Sequence, residues 1–336
     1  MNQPTNNQPS LPQPVVPRRR RNWLLVLLPF LATLVLAAGL FAVFGPGPLT
    51  EETTLIVPHG AGPRDVAASL DNEHAVYHPL LFRIAVKVLA ENTIKAGEYQ
   101  LAARQSLAEI VRMIHEGRSV TRLFTVAEGL TSKDIASLIN ASPTLAGDAV
   151  PVPVEGSLMP ESYRYIYGDN RAALVARMQK AMQDELNDLW TKRDPNVPLA
   201  TPEQAIVLAS IIEKETGKPS ERPRIAGVFV NRLRLPMRLQ SDPTVIYGIV
   251  LAKGAMNHAI THDDLEFPSP YNTYTNDGLP PHPICNPGRA ALEAALHPEA
   301  NDFLYFVADG TGGHAFSHTI AEHNRNVTKW NNLQEK

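Results

Sequence analysis

The stretch TPEQAIVLASIIEKET, residues 201–216, decides how the chain is read. Thr201 offers a hydroxyl for an N-cap, Pro202 suits the first helical position and Glu203 puts an acid in the first turn, so a helix is expected over 202–216. At about 100° per residue, Leu208, Ile211 and Ile212 form one apolar stripe, and Glu215 lies within about 60° of each of them. Glu213 lies about 160° from Glu215 and Lys214 about 100°, on the side where solvent is expected. A carboxyl on an apolar stripe either pairs with a base, Arg222 or Arg224 here, or stays protonated. In the second case burial and the helix C-terminal dipole both raise its pKa, and Glu215 is suited to act as a general acid.

Cleavage of a glycosidic bond needs such a proton on the leaving oxygen. Hydrolases add a second carboxylate, for which Glu221 and Asp242 are the candidates. Downstream, Gln240-Ser241-Asp242-Pro243-Thr244 and Tyr271-Asn272-Thr273-Tyr274 mix amides and aromatics in the manner of sugar recognition or of ordinary polar loops. Gln240, Asp242, Asn272 and Tyr274 are the candidate substrate contacts.

Toward the N-terminus, Trp23 to Phe44 is a run of 22 residues without a charge, long enough to cross the roughly 30 Å hydrocarbon core of a bilayer. Pro29 and Gly39 inside it are tolerated in membrane helices. A cleaved signal has a shorter apolar run and a small-residue cleavage site, and none follows here. Arg18 to Arg21 precede the span, so the positive-inside rule places residues 1–22 in the cytoplasm and 45–336 outside. The expected organisation is a disordered tail over 1–22, a transmembrane helix over 23–44, a linker over 45–51 opened by Gly45-Pro46-Gly47-Pro48, a small α+β module over 52–120 and a larger domain over 121–333. The module reads as a strand at 53–57, a turn at Pro58-His59-Gly60, a helix near 65–70, a strand at 97–99 and a helix opened by a Ser106–Glu109 capping box. Val57, Gly60, Asp65, Ala67 and Leu70 are echoed by Val126, Gly129, Asp134, Ala136 and Ile139, a strand–turn–helix unit used twice. A Pro-rich stretch (Pro143 to Pro160) leads to a helix near 171–191. After 235 loops are expected, then a buried strand over 303–308 that returns through Asp309–Gly313 into 314–318. The fold class is α+β.

The 336 residues are 44% hydrophobic and 19% charged, which excludes a disordered chain and leaves room for two cores. Cys285 stands alone, so no internal disulfide forms. With Arg18 to Arg21 set aside from the net −3, the rest of the chain carries −7, which argues against nucleic acid as a partner. A zinc hydrolase is the second function class considered, on His258 and His262 at i, i+4 and on His314, His318 and His323. No His-Glu-x-x-His pattern is present, and a strand keeps His314 and His318 apart. Gly310-Thr311-Gly312-Gly313 lacks the Lys-Ser/Thr ending of a phosphate loop, and Gly-x-Ser-x-Gly is absent. A non-catalytic glycan-binding scaffold, with Glu215 structural, is the third.

The ordered blocks carry a resemblance. Leu208 to Thr216, Ser220-Glu221-Arg222, Val228 to Leu233, Met237 to Gly248, Tyr271 to Tyr274, Leu304 to Ala308 and Gly312-Gly313-His314 together resemble the YceG-like (MltG) family of endolytic murein transglycosylases. The resemblance covers nearly all of 50–330 and includes the N-terminal anchor. It implies an inner-membrane enzyme with a LysM-like subdomain and a larger, mixed α/β catalytic domain outside the cytoplasm. It further implies cleavage within nascent peptidoglycan glycan strands, with peptidoglycan synthases (penicillin-binding proteins) as partners. The catalytic acid it implies, the second Glu of Glu-Lys-Glu-Thr, falls on Glu215, which protonates the bridging oxygen and then takes a proton from the 6-hydroxyl of the muramic sugar. This chemistry needs no metal and no cofactor, and leaves a 1,6-anhydro end. Two stretches depart from the family pattern: His282 stands where a small residue is usual, and Glu155 to Pro160 lacks an aromatic after its glycine.

Overall fold

The computed structural model describes residues 23–334; the tail expected over 1–22 lies outside them. The chain falls into two compact units, one made of residues up to 95 with 99–118, the other of 96–98 with 119 onward.

The first unit opens with α1 (Leu24–Phe44). Within it Val26–Phe44 has a mean hydropathy of 2.5 and is exposed along most of its length, with Val43 packing on the unit's core, so it is long and apolar enough to cross a membrane. Residues 45–51 differ from a free linker. Gly47 N donates to Arg104 O (3.1 Å), Tyr77 Oη to Pro46 O (2.9 Å) and Arg104 N to Leu49 O (2.8 Å), and Leu49 is buried. Then follow β1 (Thr53–Val57), α2 (Pro63–Asn72), α3 (Pro79–Leu89), β2 (Gly97–Leu101) and α4 (Leu107–Glu116), with β1 beside β2. The Ser106–Glu109 capping box is present at α4. The helix α3 has no early acid, and its start, His78 capping Leu80 N ahead of Pro79, is a signal that sequence reading passed over. Leu55, Leu70, Phe82, Tyr99, Ile110 and Ile114 make this unit's core.

The second unit begins with β3 (Thr121–Thr125) and α5 (Ser132–Ala141). The echo between the two strand–helix units holds in detail: Gly60 and Gly129 both turn at positive φ, and Asp65 and Asp134 are both third helical residues whose carboxylates accept from the N-cap backbone N–H, of Gly62 (2.9 Å) and Thr131 (3.3 Å). β4 (Ser162–Ile166) pairs antiparallel with β3, Thr121 opposite Ile166. The Pro-rich stretch packs into the unit at its end, where Leu158 and Met159 are buried to 1% exposure or less and Asn286 Oδ1 accepts from Leu158 N at 2.9 Å. Next come α6 (Arg171–Lys192), α7 (Pro202–Glu215), α8 (Arg222–Arg234), α9 (Asp242–Lys253), α10 (Arg289–Leu296), β5 (Tyr305–Ala308), β6 (His314–Ser317) and α11 (Ile320–Gln334). The architecture is mixed α and β, with strands only in two-stranded sheets among the described residues.

Two expectations need correction. The region after 235 is not all loop: Asp242-Pro243 opens α9, whose N-terminal proline and acid are an ordinary helix start. The strand expected over 303–308 spans 305–308 and is half-buried rather than buried, all four of its residues being partly exposed. The organising element is α7. Val207 to Ile212 are all buried in succession, because α6, α8, α9 and α10 pack around the helix on several sides. Its apolar residues therefore line a central rod rather than a stripe.

Candidate active site

Glu215 ends α7 at the floor of a cleft of about 520 Å³. Its carboxyl accepts a hydrogen bond from the Ser241 hydroxyl. Burial pushes its pKa up to about 7 and the neighbouring Asp242 charge pushes the same way, while the Ser241 bond and the Arg232 guanidinium oppose them. At neutral pH the carboxyl is thus divided between acid and base forms. Neither Arg222 nor Arg224 neutralises it: Arg222 pairs with Glu213 at 3.1 Å and Arg224 with Glu299 at 2.8 Å. The Glu213 side chain is only 5% exposed and also accepts from Gly288 N (2.9 Å), so the solvent face expected for it does not exist. Lys214 is exposed as expected.

Ser241 occupies the N-cap position of α9 yet makes no side-chain cap, its hydroxyl being turned to Glu215. The segment is held by buried threonines. Ser241 N donates to Thr273 Oγ1 (3.0 Å), Thr244 Oγ1 to Ser241 O (2.6 Å), and the two threonine hydroxyls lie 2.9 Å apart. Beside it Gln240 has φ +49°, a left-handed conformation that a non-glycine residue adopts only under tertiary constraint. Arg232, from α8, spends its donors on carbonyls, Nε on Leu304 O and Nη1 on Leu239 O, both at 2.7 Å. Its charge faces the cleft without an ion pair to a carboxylate among the described residues; burial lowers its pKa and nearby Tyr305, Tyr274 and Glu215 counter that.

Of the residues singled out from sequence, Glu215, Gln240, Asp242 and Tyr274 line this one cleft. Tyr274 Oη donates to Asp242 Oδ1 at 2.6 Å, and burial raises the phenol's pKa so that it remains a donor. Asn272 does not line it. It is fully buried, its Nδ2 bonded to Leu265 O and Phe267 O (2.9 Å each) and its Oδ1 to Tyr274 N (2.8 Å), so it is spent on shaping the loop that presents Tyr274. His282 is exposed and away from the cleft, and Cys285 is buried, with burial pushing its thiol pKa up. Glu221 is tied to His314 Nδ1 (2.7 Å) and Lys218 Nζ (3.1 Å). His258 lies 3.6 Å from Asp264, and His318 3.0 Å from Asp302. No group of three or more His, Cys, Asp or Glu able to hold a metal occurs among the described residues.

The opposite wall comes from β5, β6 and α11. Tyr305, His314 and His323 stand there, with His323 stacked on Tyr305 (centroids 5.3 Å, 27°). Burial and then the Arg232 charge hold the His323 imidazole below its ordinary pKa. Sequence reading gave His314 and His323 a role only as zinc candidates and gave none to Ser241, Arg232 or Tyr305. The one local signal was Arg232 itself, a cation after the apolar run Val228-Phe229-Val230.

Residues 55–329 match the model of the YceG-like family. The chain is 30% identical over 307 residues to an endolytic murein transglycosylase of Bacillus subtilis, covering 82% of this chain and 83% of that protein. It is 28% identical over 324 residues to an endolytic murein transglycosylase of Streptococcus pneumoniae, covering 82% of this chain and 58% of the relative. The crystal structure of a yceG-like protein from Listeria monocytogenes matches with 32% identity, 82% and 99% of the two chains, and a TM-score of 0.49. With the family model spanning most of its length, the chain belongs to the YceG-like family.

Proposed function

We propose that the chain is a membrane-anchored endolytic murein transglycosylase, with Glu215 as its general acid. One observation carries the reading: a carboxyl poised at a pKa of about 7, hydrogen-bonded to Ser241, at the floor of a cleft lined by polar and aromatic side chains. Its proton goes to the oxygen leaving C1 of N-acetylmuramic acid, and the 6-hydroxyl of that same sugar closes on C1, giving a 1,6-anhydro end. In its simplest form the Glu215 carboxylate then takes the proton of that hydroxyl, so that one residue acts as acid and then as base and is restored. Gln240, Asp242 and Tyr274 contact the sugars. In this reading α1 anchors the chain in the plasma membrane with its N-terminus cytoplasmic. Residues 52–120 are a LysM-like subdomain that holds glycan, and peptidoglycan synthases supply nascent strands.

The test is mass analysis of glycan fragments released from purified peptidoglycan by the full chain in detergent micelles, beside Glu215→Gln. The expected products are ends one water lighter than reducing sugars, absent with the variant. Asp242 in the same cleft favours one rival, a two-carboxylate muramidase. Reducing ends would select that rival, and glycan binding without any release would select a scaffold.

A further inference from the structure

We infer that the cleft holds a second proton-transfer group: His314, whose Nε2 accepts the proton of the attacking sugar hydroxyl while Glu221 fixes the ring. The inference rests on the transglycosylase reading above and divides its chemistry between two residues.

His314 opens β6, directly after the turn at 309–313. Its Nδ1 lies 2.7 Å from Glu221 Oε2, and its backbone N–H donates to Oε1 of the same carboxylate at 3.3 Å. Both side chains are largely enclosed, at 15% and 10% exposure. A carboxylate on Nδ1 makes that nitrogen the protonated one and leaves the lone pair on Nε2. Nε2 makes no hydrogen bond to protein among the described residues, and the ring lines the same cleft as Glu215. Phe306 meets the imidazole edge-on at 5.4 Å and 90°, so the plane is held from a second side.

The glycine run before His314 fits this arrangement. Gly310 and Gly312 turn the chain, each at φ +83°. Gly313 serves a different need, since a Cβ there would stand 2.5 Å from Glu221 Oε1 and 2.9 Å from Lys218 Nζ. The missing side chain is what lets the carboxylate reach the imidazole. A pair that only tied the hairpin to the turn before α8 would have no need to leave a ring nitrogen unpartnered in the cleft that holds Glu215.

The proton balance closes. Glu215 gives its proton to the leaving oxygen as the bond from C1 to that oxygen breaks. The 6-oxygen bonds to C1 and its proton passes to Nε2 of His314. The imidazolium then returns a proton to the Glu215 carboxylate through solvent, and the enzyme is restored with no net gain or loss.

The experiment uses the full chain in detergent micelles on purified peptidoglycan, with anhydro ends counted by mass analysis. His314→Ala is expected to lower kcat about 100-fold or more with KM within about twofold of wild type, as for loss of a general base. Added imidazole is expected to restore at least about tenfold. Glu221→Gln, a positioning variant, is expected to lower kcat about tenfold and to add nothing in the His314→Ala background. Gly313→Ala, which touches neither side chain chemically, is expected to follow Glu221→Gln. The inference is overturned if His314→Ala keeps kcat within about threefold, if only KM changes, or if a variant that melts like wild type is not rescued by imidazole. Should His314→Ala melt early, Glu221→Gln decides, and an unchanged kcat there overturns it. A wild type that makes no anhydro ends removes the transglycosylase reading and this one with it; an active wild type matched by an active His314→Ala removes this one alone.

Discussion

At Glu215 burial and the Asp242 charge work against the carboxylate, while Ser241 and Arg232 work for it, and the balance puts the pKa near 7 instead of the ordinary 4.5. The Ser241 bond stabilises the ionised form, so Ser241→Ala is expected to raise that pKa. The alkaline limb of the pH–rate profile then moves up by roughly one unit, the size of a hydrogen bond to a charged group. A limb that stays or moves down would show that Ser241 does not tune the acid. The same shift has a stability sign. Below pH 4.5 folded and unfolded chains both hold the proton and there is no penalty. Between 4.5 and 7 the unfolded chain releases it first, so stability falls, and above 7 the full penalty of about 3 kcal/mol is present. Glu215→Gln is therefore expected to be more stable than wild type at pH 8, by up to about 3 kcal/mol, and equal to it at pH 4, measured by urea unfolding in detergent.

At the scale of elements, the cleft depends on how closely α8 approaches the chain leading into β5. Asn231 Nδ2 donates to Asn301 O (2.9 Å) and Phe303 O (3.0 Å), and Arg232 Nε to Leu304 O. Gly227 permits the approach, for a Cβ there would lie 2.5 Å from Glu299 O, a backbone atom that cannot swing aside. Gly227→Ala is expected to destabilise the protein by about 1–3 kcal/mol through overpacking, despite the better helix propensity of alanine, and thermal melting would register it. A neutral or stabilising effect would mean that the 299–304 segment adjusts freely. Another trade is visible at α9, where Ser241 forgoes a cap that ordinarily contributes about 1 kcal/mol in favour of the Glu215 bond.

For the whole molecule, α1 is the proposed membrane anchor. A charge at its middle carries a cost of about 2.5–3.5 kcal/mol on insertion scales, so Leu34→Arg is expected to reduce the carbonate-resistant membrane fraction severalfold. Unchanged retention would argue that something other than α1 holds the chain to the membrane. Because residues 45–51 are bonded to the rest of the first unit rather than loose, its α+β part begins within a few residues of the end of α1.

What the sequence by itself determined was local. The caps at Ser106 and Thr201, the apolar run of α1, the hairpin at 309–313 and Glu215 as an acid among Leu208, Ile211 and Ile212 all follow from spacings of a few residues, which backbone geometry alone dictates. Tertiary structure decided what covers each face. Periodicity placed Glu213 toward solvent, but Arg222 and Gly288 cover it. It could not separate Tyr274, which reaches the cleft, from Asn272 two residues earlier, which is spent on its own loop. The Ser241 bond joins residues 26 apart and the His314–Glu221 pair residues 93 apart. The physical reason is that a helix or turn signal is written into neighbouring residues, whereas desolvation and hydrogen-bond partners at a site are set by whichever distant elements pack there.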